Sequence, residues 1–347
     1  MIDLSTFDPN AVGNPNNNIF GLPSTKEDAK LVILPVPWEV TVSRHEGTAR
    51  APEHIFRTSL LVELFDTTLK DEWRKGYHML QPDRKILLKS DYLRKEAELY
   101  INYITDGGIL TENKFMCKTI REINEGSLML NTWVHDQTTT LLDNDKIVGL
   151  LGGDLSTSFG YYKALAEKHG DFGILQIDAH CSMRKAYEGF FYSHASAMYN
   201  AVEQIPEIKK IVQVGIRDFC EAEWDYINNS EGKIKTFLDV TIKNRFAEGE
   251  TWKQVAEEIV SHLPEKVIFS YDIDGLDPKL CPNTSTPVYG GFEATQIFYL
   301  FHLVLKSGRK IIGFNLNEIG ISRDEWDEKV GARVLFDLCN LLMASNS

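Results

Sequence analysis

Residues 173–198 read GILQIDAHCSMRKAYEGFFYSHASAM, and the rest of the chain is organised around them. The opening apolar run suits a buried strand. At its end stand Asp178 and His180, followed by Cys181 and Ser182, with a second histidine, His194, further along. Residues at i and i+2 of a strand share a face, so Asp178 and His180 project together. In an open α/β sheet, ligands bind in the crevice beyond the carboxyl ends of the strands. An Asp-x-His pair placed there offers one oxygen and one imidazole, a donor set suited to a borderline divalent metal.

Outward from this stretch the chain alternates. Apolar runs at 31–36, 146–151, 210–215, 234–238, 266–272 and 310–315 read as strands. Segments at 195–204, 221–227, 252–263, 293–305 and 326–343 have helical spacing, as does the stretch running to about His169. Strands alternating with helices imply βαβ units, hence an α/β fold of three layers with a mainly parallel sheet covered on both faces. Residues 1–30, rich in Asn, Pro and Asp, read as an irregular arm. Residues 60–145 read as helical connecting material, with periodic apolar positions at 91–105 and 120–142. We read 1–347 as a single domain, without internal repeats.

Composition limits the partners. The chain has 50 acidic against 37 basic residues, a formal charge of −13, which argues against nucleic acid or an anionic membrane as the main partner. Cys117, Cys181, Cys220, Cys281 and Cys339 form no C-x-x-C pair, as expected of a reduced, intracellular protein. The start, MIDLSTFDPN, has no apolar core of a signal peptide, and no apolar run approaches the ~18 residues of a membrane span. A cytoplasmic location is expected.

Three strand ends carry polar sequence that makes no sense as core. They supply Asp154, then Asp178 with His180, then Asp272, Asp274 and Asp277 in SYDIDGLDP (270–278). A single aspartate there would cap the next helix or tighten a turn. Two i, i+2 pairs plus a histidine are hard to explain as caps. Asp178, His180, Asp272 and Asp274 converging in one crevice would repel each other without a cation.

These motifs resemble the ureohydrolase family, which includes arginases, agmatinases, guanidinobutyrases and formimidoylglutamases. GGDLSTS (152–158) resembles that family's GGDHS, DAHCS (178–182) its DAHxD, and SYDIDGLDP its SxDxDxxDP. GTARAPEHIFR (47–57) is similar to an upstream family segment, and MRKAYEGFFYSHASAM (183–198) is most like the agmatinase branch. The resemblance implies an arginase/deacetylase-like fold and the hydrolysis of a guanidino or amidine C–N bond with release of urea. Two manganese ions activate the attacking water in the family. By position, Asp178 and Asp272 match carboxylates that bridge the two ions, and His180 and Asp274 match terminal ligands of one. His194 matches a histidine that moves a proton to the leaving amine, and Glu318, in GFNLNEIG (313–320), matches the glutamate that receives the guanidinium. Catalytic roles accordingly fall to His194, Asp178 and Asp274.

Two positions depart from the pattern. Leu155 stands where GGDHS has histidine and Ser182 where DAHxD has its last aspartate. Leucine offers no lone pair, and a neutral hydroxyl is a weak substitute for carboxylate. The expected cofactor is therefore one Mn2+ or another divalent ion, with the second site depleted. Three readings stay open: an impaired agmatinase-like hydrolase of a small cationic guanidino compound, a non-catalytic protein binding such a ligand, and a single-metal amide hydrolase. Cys181 reads as an ordinary buried thiol, His45 and His54 as solvated or structural, and Arg184 and Tyr187 as scaffold of the loop carrying His194. A trimer or hexamer is implied by the resemblance alone.

Overall fold

A computed structural model describes residues 4, 5 and 7–347. Eight strands form one all-parallel sheet: β1 Leu31–Val36, β2 Tyr77–Met79, β3 Ile147–Gly152, β4 Phe172–Ile177, β5 Ile208–Ile216, β6 Ile234–Leu238, β7 Lys266–Asp272 and β8 Lys310–Asn317, in the order β2-β1-β3-β8-β7-β4-β5-β6. Among the described residues, ten α-helices cover it: α1 Ala51–Thr58, α2 Arg84–Thr105, α3 Lys114–Asp143, α4 Ser158–His169, α5 Ala197–Gln204, α6 Glu221–Asn228, α7 Asp239–Ala247, α8 Trp252–Ser261, α9 Ala294–Lys306 and α10 Trp326–Ser345.

The strands are nearly continuous apolar runs because both faces are covered. Alternate residues divide between two cores. Leu31, Ile33, Leu175, Ile177, Phe269 and Leu316 pack with α1, α8, α9 and α10. Val32, Leu34, Val148, Ile174 and Ile268 pack on the opposite side with α2 to α5. The long helices start at side-chain caps: Asp83 accepts from the Lys85 and Ile86 amides at α2, and Asn113 from Phe115 and Met116 at α3.

Two elements differ from the sequence expectation. β2 lies inside the region read as helical, and α7 follows β6 where no helix is expected. β2 is a three-residue edge strand, too short to show a period, and α7 buries only Asp239 and Ile242. The N-terminal arm, whose residues 1–3 and 6 lie outside the described residues, is otherwise irregular apart from one short turn at Ile19–Gly21. Its Ile19, Phe20 and Leu22 nevertheless lie in the core.

The strand order reverses between β3 and β4. After β3 the chain crosses to β4 and moves outward to β6, then returns to fill the gap with β7 and β8. Such a switch point opens a crevice at the carboxyl ends. Register decides what lines it. Ile177 pairs with Tyr271, Asp272 with Asn317, and Leu151 with Leu316. Asp178, Asp272, Asn317 and Gly152 therefore form one row, and His180 and Asp274 follow two residues on, on the same side.

Candidate active site

Glycine lets the strand ends close up. A Cβ on Gly275 would come within 2.9 Å of the Asp178 amide nitrogen and 2.8 Å of the Ile177 side chain. A Cβ on Gly153 would sit 1.8 Å from the Trp38 carbonyl oxygen, an impossible contact. The first brings the turn after β7 against the end of β4, and the second brings β3 against the segment after β1.

Asp178, His180 and Asp274 meet in the crevice, with one ligand atom from each lying within 4.8 Å of the others. His180 Nδ1 is 3.0 Å from Asp274 Oδ2 and 3.6 Å from Asp178 Oδ1. The carboxylates are held from behind. Asp178 Oδ1 accepts the His180 amide at 2.6 Å, Asp178 Oδ2 accepts Gln176 Nε2 at 2.8 Å, and Asp274 Oδ1 accepts the Ala179 amide at 3.2 Å. Gln176 is itself fixed by Gln213, whose Nε2 donates to Gln176 Oε1 at 2.8 Å. Asp272, the fourth expected ligand, is not part of that tight group. It is 3% exposed beside Asp178, and its Oδ1 is buried without a hydrogen-bond partner among the described residues.

The electrostatics follow from the crowding. Burial, then the Asp178 charge, holds Asp272 well above the usual carboxylate range. Burial and Asp274 likewise raise Asp178. Asp274 goes the other way: burial raises it, but the charge and hydrogen bond of His180, the Ala179 amide and the Arg217 charge together outweigh that burial. His180 is held well above 6.5, its burial outweighed by Asp274 and Asp178. So many acids sharing protons in a buried space fit a site at which a divalent cation replaces those protons.

Glu318 faces the same cavity from the end of β8. It has left-handed backbone geometry, φ 63°, stabilised by bonds from its amide to the Gly153 carbonyl at 3.0 Å and to its own carbonyl from Thr284 Oγ1 at 2.7 Å. Its carboxylate is clamped, Oε1 by the Leu155 amide at 2.9 Å and Oε2 by the Ser285 hydroxyl at 2.8 Å. Burial, then Asp154 and Asp274, raises its pKa well above the ordinary range. Asn315 lies below, bonded to Tyr162, Ser270 and Asn317.

His194 begins a short turn capped by Ser193. Its amide donates to Thr41 Oγ1 at 3.1 Å, and its Nδ1 lies 3.4 Å from the same oxygen. Burial, reinforced by the charge on His180, lowers its pKa to about 4, so the imidazole is neutral at neutral pH.

Leu155 and Ser182 also line this cavity of about 250 Å³. Leu155, 1% exposed, belongs to the apolar core beside the sheet. Ser182 has a left-handed φ of 53°, and its carbonyl accepts the Met198 and Tyr199 amides at 3.1 Å each. Asp154 is fully buried, with Oδ1 bonded to Ser156 and Oδ2 without a partner among the described residues. It is not among the cavity-lining residues.

Cys181 is buried, its pKa raised by burial, and is no candidate nucleophile. His45 is exposed and His54 lies 3.7 Å from Glu328; neither lines the cavity. Arg184 stacks over the Tyr187 ring at 4.8 Å and lies 3.8 Å from Glu223, a buried glutamate that also accepts the Met183 and Cys220 amides. Arg44, Asp218 and Glu223 complete the charged wall, and sequence reading missed all three. Arg44 sits in TVSRHEG, the polar loop directly after β1, and that position was the one signal available for it.

A model described as the arginase family matches residues 29–340. The chain is 27% identical over 326 residues to an N(1)-aminopropylagmatine ureohydrolase of Thermus thermophilus, covering 93% of this chain and 94% of that one. It is 26% identical over 303 residues to an agmatinase of Bacillus cereus, covering 87% of each. Among solved structures, proclavaminate amidino hydrolase from Streptomyces clavuligerus superposes with a TM-score of 0.69 at 17% identity, over 96% of this chain and 99% of that one.

Proposed function

The chain belongs to the arginase family, and from that premise we propose that it is a metal-dependent, agmatinase-like hydrolase. It cleaves the C–N bond of a small compound that carries a cationic guanidino group, and releases urea. The observation that carries this reading is the buried Asp178–His180–Asp274 group, opening into the cavity that also holds Glu318 and His194. The buried, unpartnered Asp272 Oδ1 supports Asp272 as a further donor. Three carboxylates and one imidazole suit one manganese or similar divalent ion.

A divalent ion held by these residues would supply Lewis acidity for activating water at neutral pH. The chain's own groups do the rest. Glu318, with each oxygen fixed by one donor, keeps lone pairs for a guanidinium in a charge-assisted pair. His194, neutral at working pH, takes up a proton and returns it to the departing amine. Burial of the floor excludes bulk water and strengthens each of these interactions.

The second metal position of the family does not fit this chain. Leu155 offers no donor, and Ser182 offers only a hydroxyl. Activity with one ion is accordingly expected to be weak. Elemental analysis of metal-loaded protein should find about one equivalent. Urea release from agmatine, arginine and guanidinobutyrate should be slow but dependent on that metal. Two tightly held ions would overturn the single-site reading. Bound metal without urea from any of the three would leave the pocket a binding site only. The single sheet supports reading the chain as one domain. Trimeric or hexameric assembly, carried over from the family, is testable by sedimentation.

A further inference from the structure

The guanidino reading accounts for the floor of the cavity but not for its wall. Arg184 and Glu223 there are already engaged, while Asp218 is exposed at the rim. Arg184 has the Glu223 carboxylate at 3.8 Å and the Tyr187 ring beneath it. Glu223 accepts two backbone amides, and Asp218 lies 3.8 Å from His180 Nε2. Arg44 is different. It lines the cavity, is exposed, and has no hydrogen bond, ion pair or ring contact among the described residues.

Its loop is nonetheless tied down on both sides. Arg94, from α2, donates to the carbonyls of Val40 and Val42 and reaches Glu46 Oε1 at 2.9 Å. Glu39 Oε2 accepts the Gly47 amide at 2.6 Å and the Thr48 hydroxyl at 3.2 Å. Val42 and Glu46, the residues two before and two after Arg44, are thus both held. Thr41 of the same loop contacts His194. A ligand meeting Arg44 would not have to order its backbone first, which lowers the cost of binding.

We propose that Arg44 is the specificity-determining residue of the pocket, and that the substrate is an ω-guanidino carboxylate. Its guanidinium meets Glu318 and its carboxylate meets Arg44. This rests on the guanidino reading above. The planar guanidinium of Arg44 matches a carboxylate with two parallel N–H bonds, and it repels a terminal ammonium. The cavity, of about 250 Å³, accommodates a ligand this small.

Calorimetric titration of metal-loaded protein with three ligands sharing a guanidinium and a short alkyl chain tests this. Guanidinobutyrate ends in carboxylate, butylguanidine in methyl and agmatine in ammonium. Guanidinobutyrate should bind about tenfold tighter than butylguanidine, with agmatine weakest. Arg44→Gln should erase the carboxylate advantage and leave butylguanidine unchanged. Arg44→Glu should reverse the order, a gain for agmatine that loss of folding cannot imitate. Agmatine binding as tightly as guanidinobutyrate, or a carboxylate preference surviving Arg44→Gln, overturns the proposal while leaving the guanidino reading intact. Failure of all three ligands to bind overturns both.

Discussion

On one side of the cavity floor, Asp178, His180 and Asp274 bring their ligand atoms within 4.8 Å of one another. On the other side the cavity is lined by Leu155 and Ser182, which on our reading of the motifs occupy the positions of a second set of ligands. The backbone of this second side is well held. Ser182 keeps its left-handed turn and two backbone bonds, and the Leu155 amide still reaches Glu318. The Leu155 side chain has joined the apolar core. These strand ends and their turns are thus stabilised by backbone hydrogen bonds and packing, independently of the ligand side chains.

The largest effect should come from the intact side. Asp274→Asn removes the charge that faces His180, and bound metal should fall from about one equivalent to none, with urea release down ~10³-fold or more. Unchanged metal content would break the contrast between the two sides. Next comes reconstruction of the other side. Leu155→His with Ser182→Asp should raise bound metal to about two equivalents and urea release by about 10²-fold. No gain in either would mean that the pocket has diverged beyond its ligands.

His194 stands beside both sides. Its replacement by glutamine should slow turnover about 10²-fold with metal content unchanged. It should also leave a signature in stability. The folded imidazole has its pKa lowered from 6.5 to about 4 by burial, so between those values the unfolded chain binds a proton that the folded chain does not. Stability is therefore full above about pH 6.5 and falls as pH drops toward 4, by on the order of 1–3 kcal/mol. Denaturation midpoints across this range should fall less steeply in the glutamine variant.

The smallest effects separate the two altered positions. Leu155→Ala should cost about 2–4 kcal/mol in urea denaturation, as expected of a core residue. Ser182→Gly should be neutral or stabilise by up to ~1 kcal/mol, because glycine adopts φ 53° without strain. A Leu155→Ala cost near zero would show that the residue had not been taken into the core.

The floor of the site was legible because its signals are local. Apolar runs ending in Asp-x-His and Asp-x-Asp announce their strands, their strand ends and their shared face within a few residues. The wall was not legible. Arg94 holds the loop of Arg44 from α2, inside the region read as connecting material, and Glu223 holds Arg184 from the start of α6. Such pairs join residues far apart in the chain with no periodicity to mark them. β2 and α7 escaped for a related reason, one being too short and the other too little buried to leave a pattern.

By itself the sequence determined the α/β architecture and the placing of carboxylates at the strand ends. A strand's period of two and its apolar run are properties of neighbouring residues, so they survive in one dimension. Only the tertiary structure decided that β7 inserts beside β4, drawing Asp274 onto His180 while Asp272 stays outside the tight group. It also decided that Leu155 packs into the core, that both oxygens of Glu318 are clamped, and that Arg44 faces the cavity without a partner among the described residues. These depend on which surfaces close on each other when the sheet assembles, and packing across distant segments leaves no local trace in the chain.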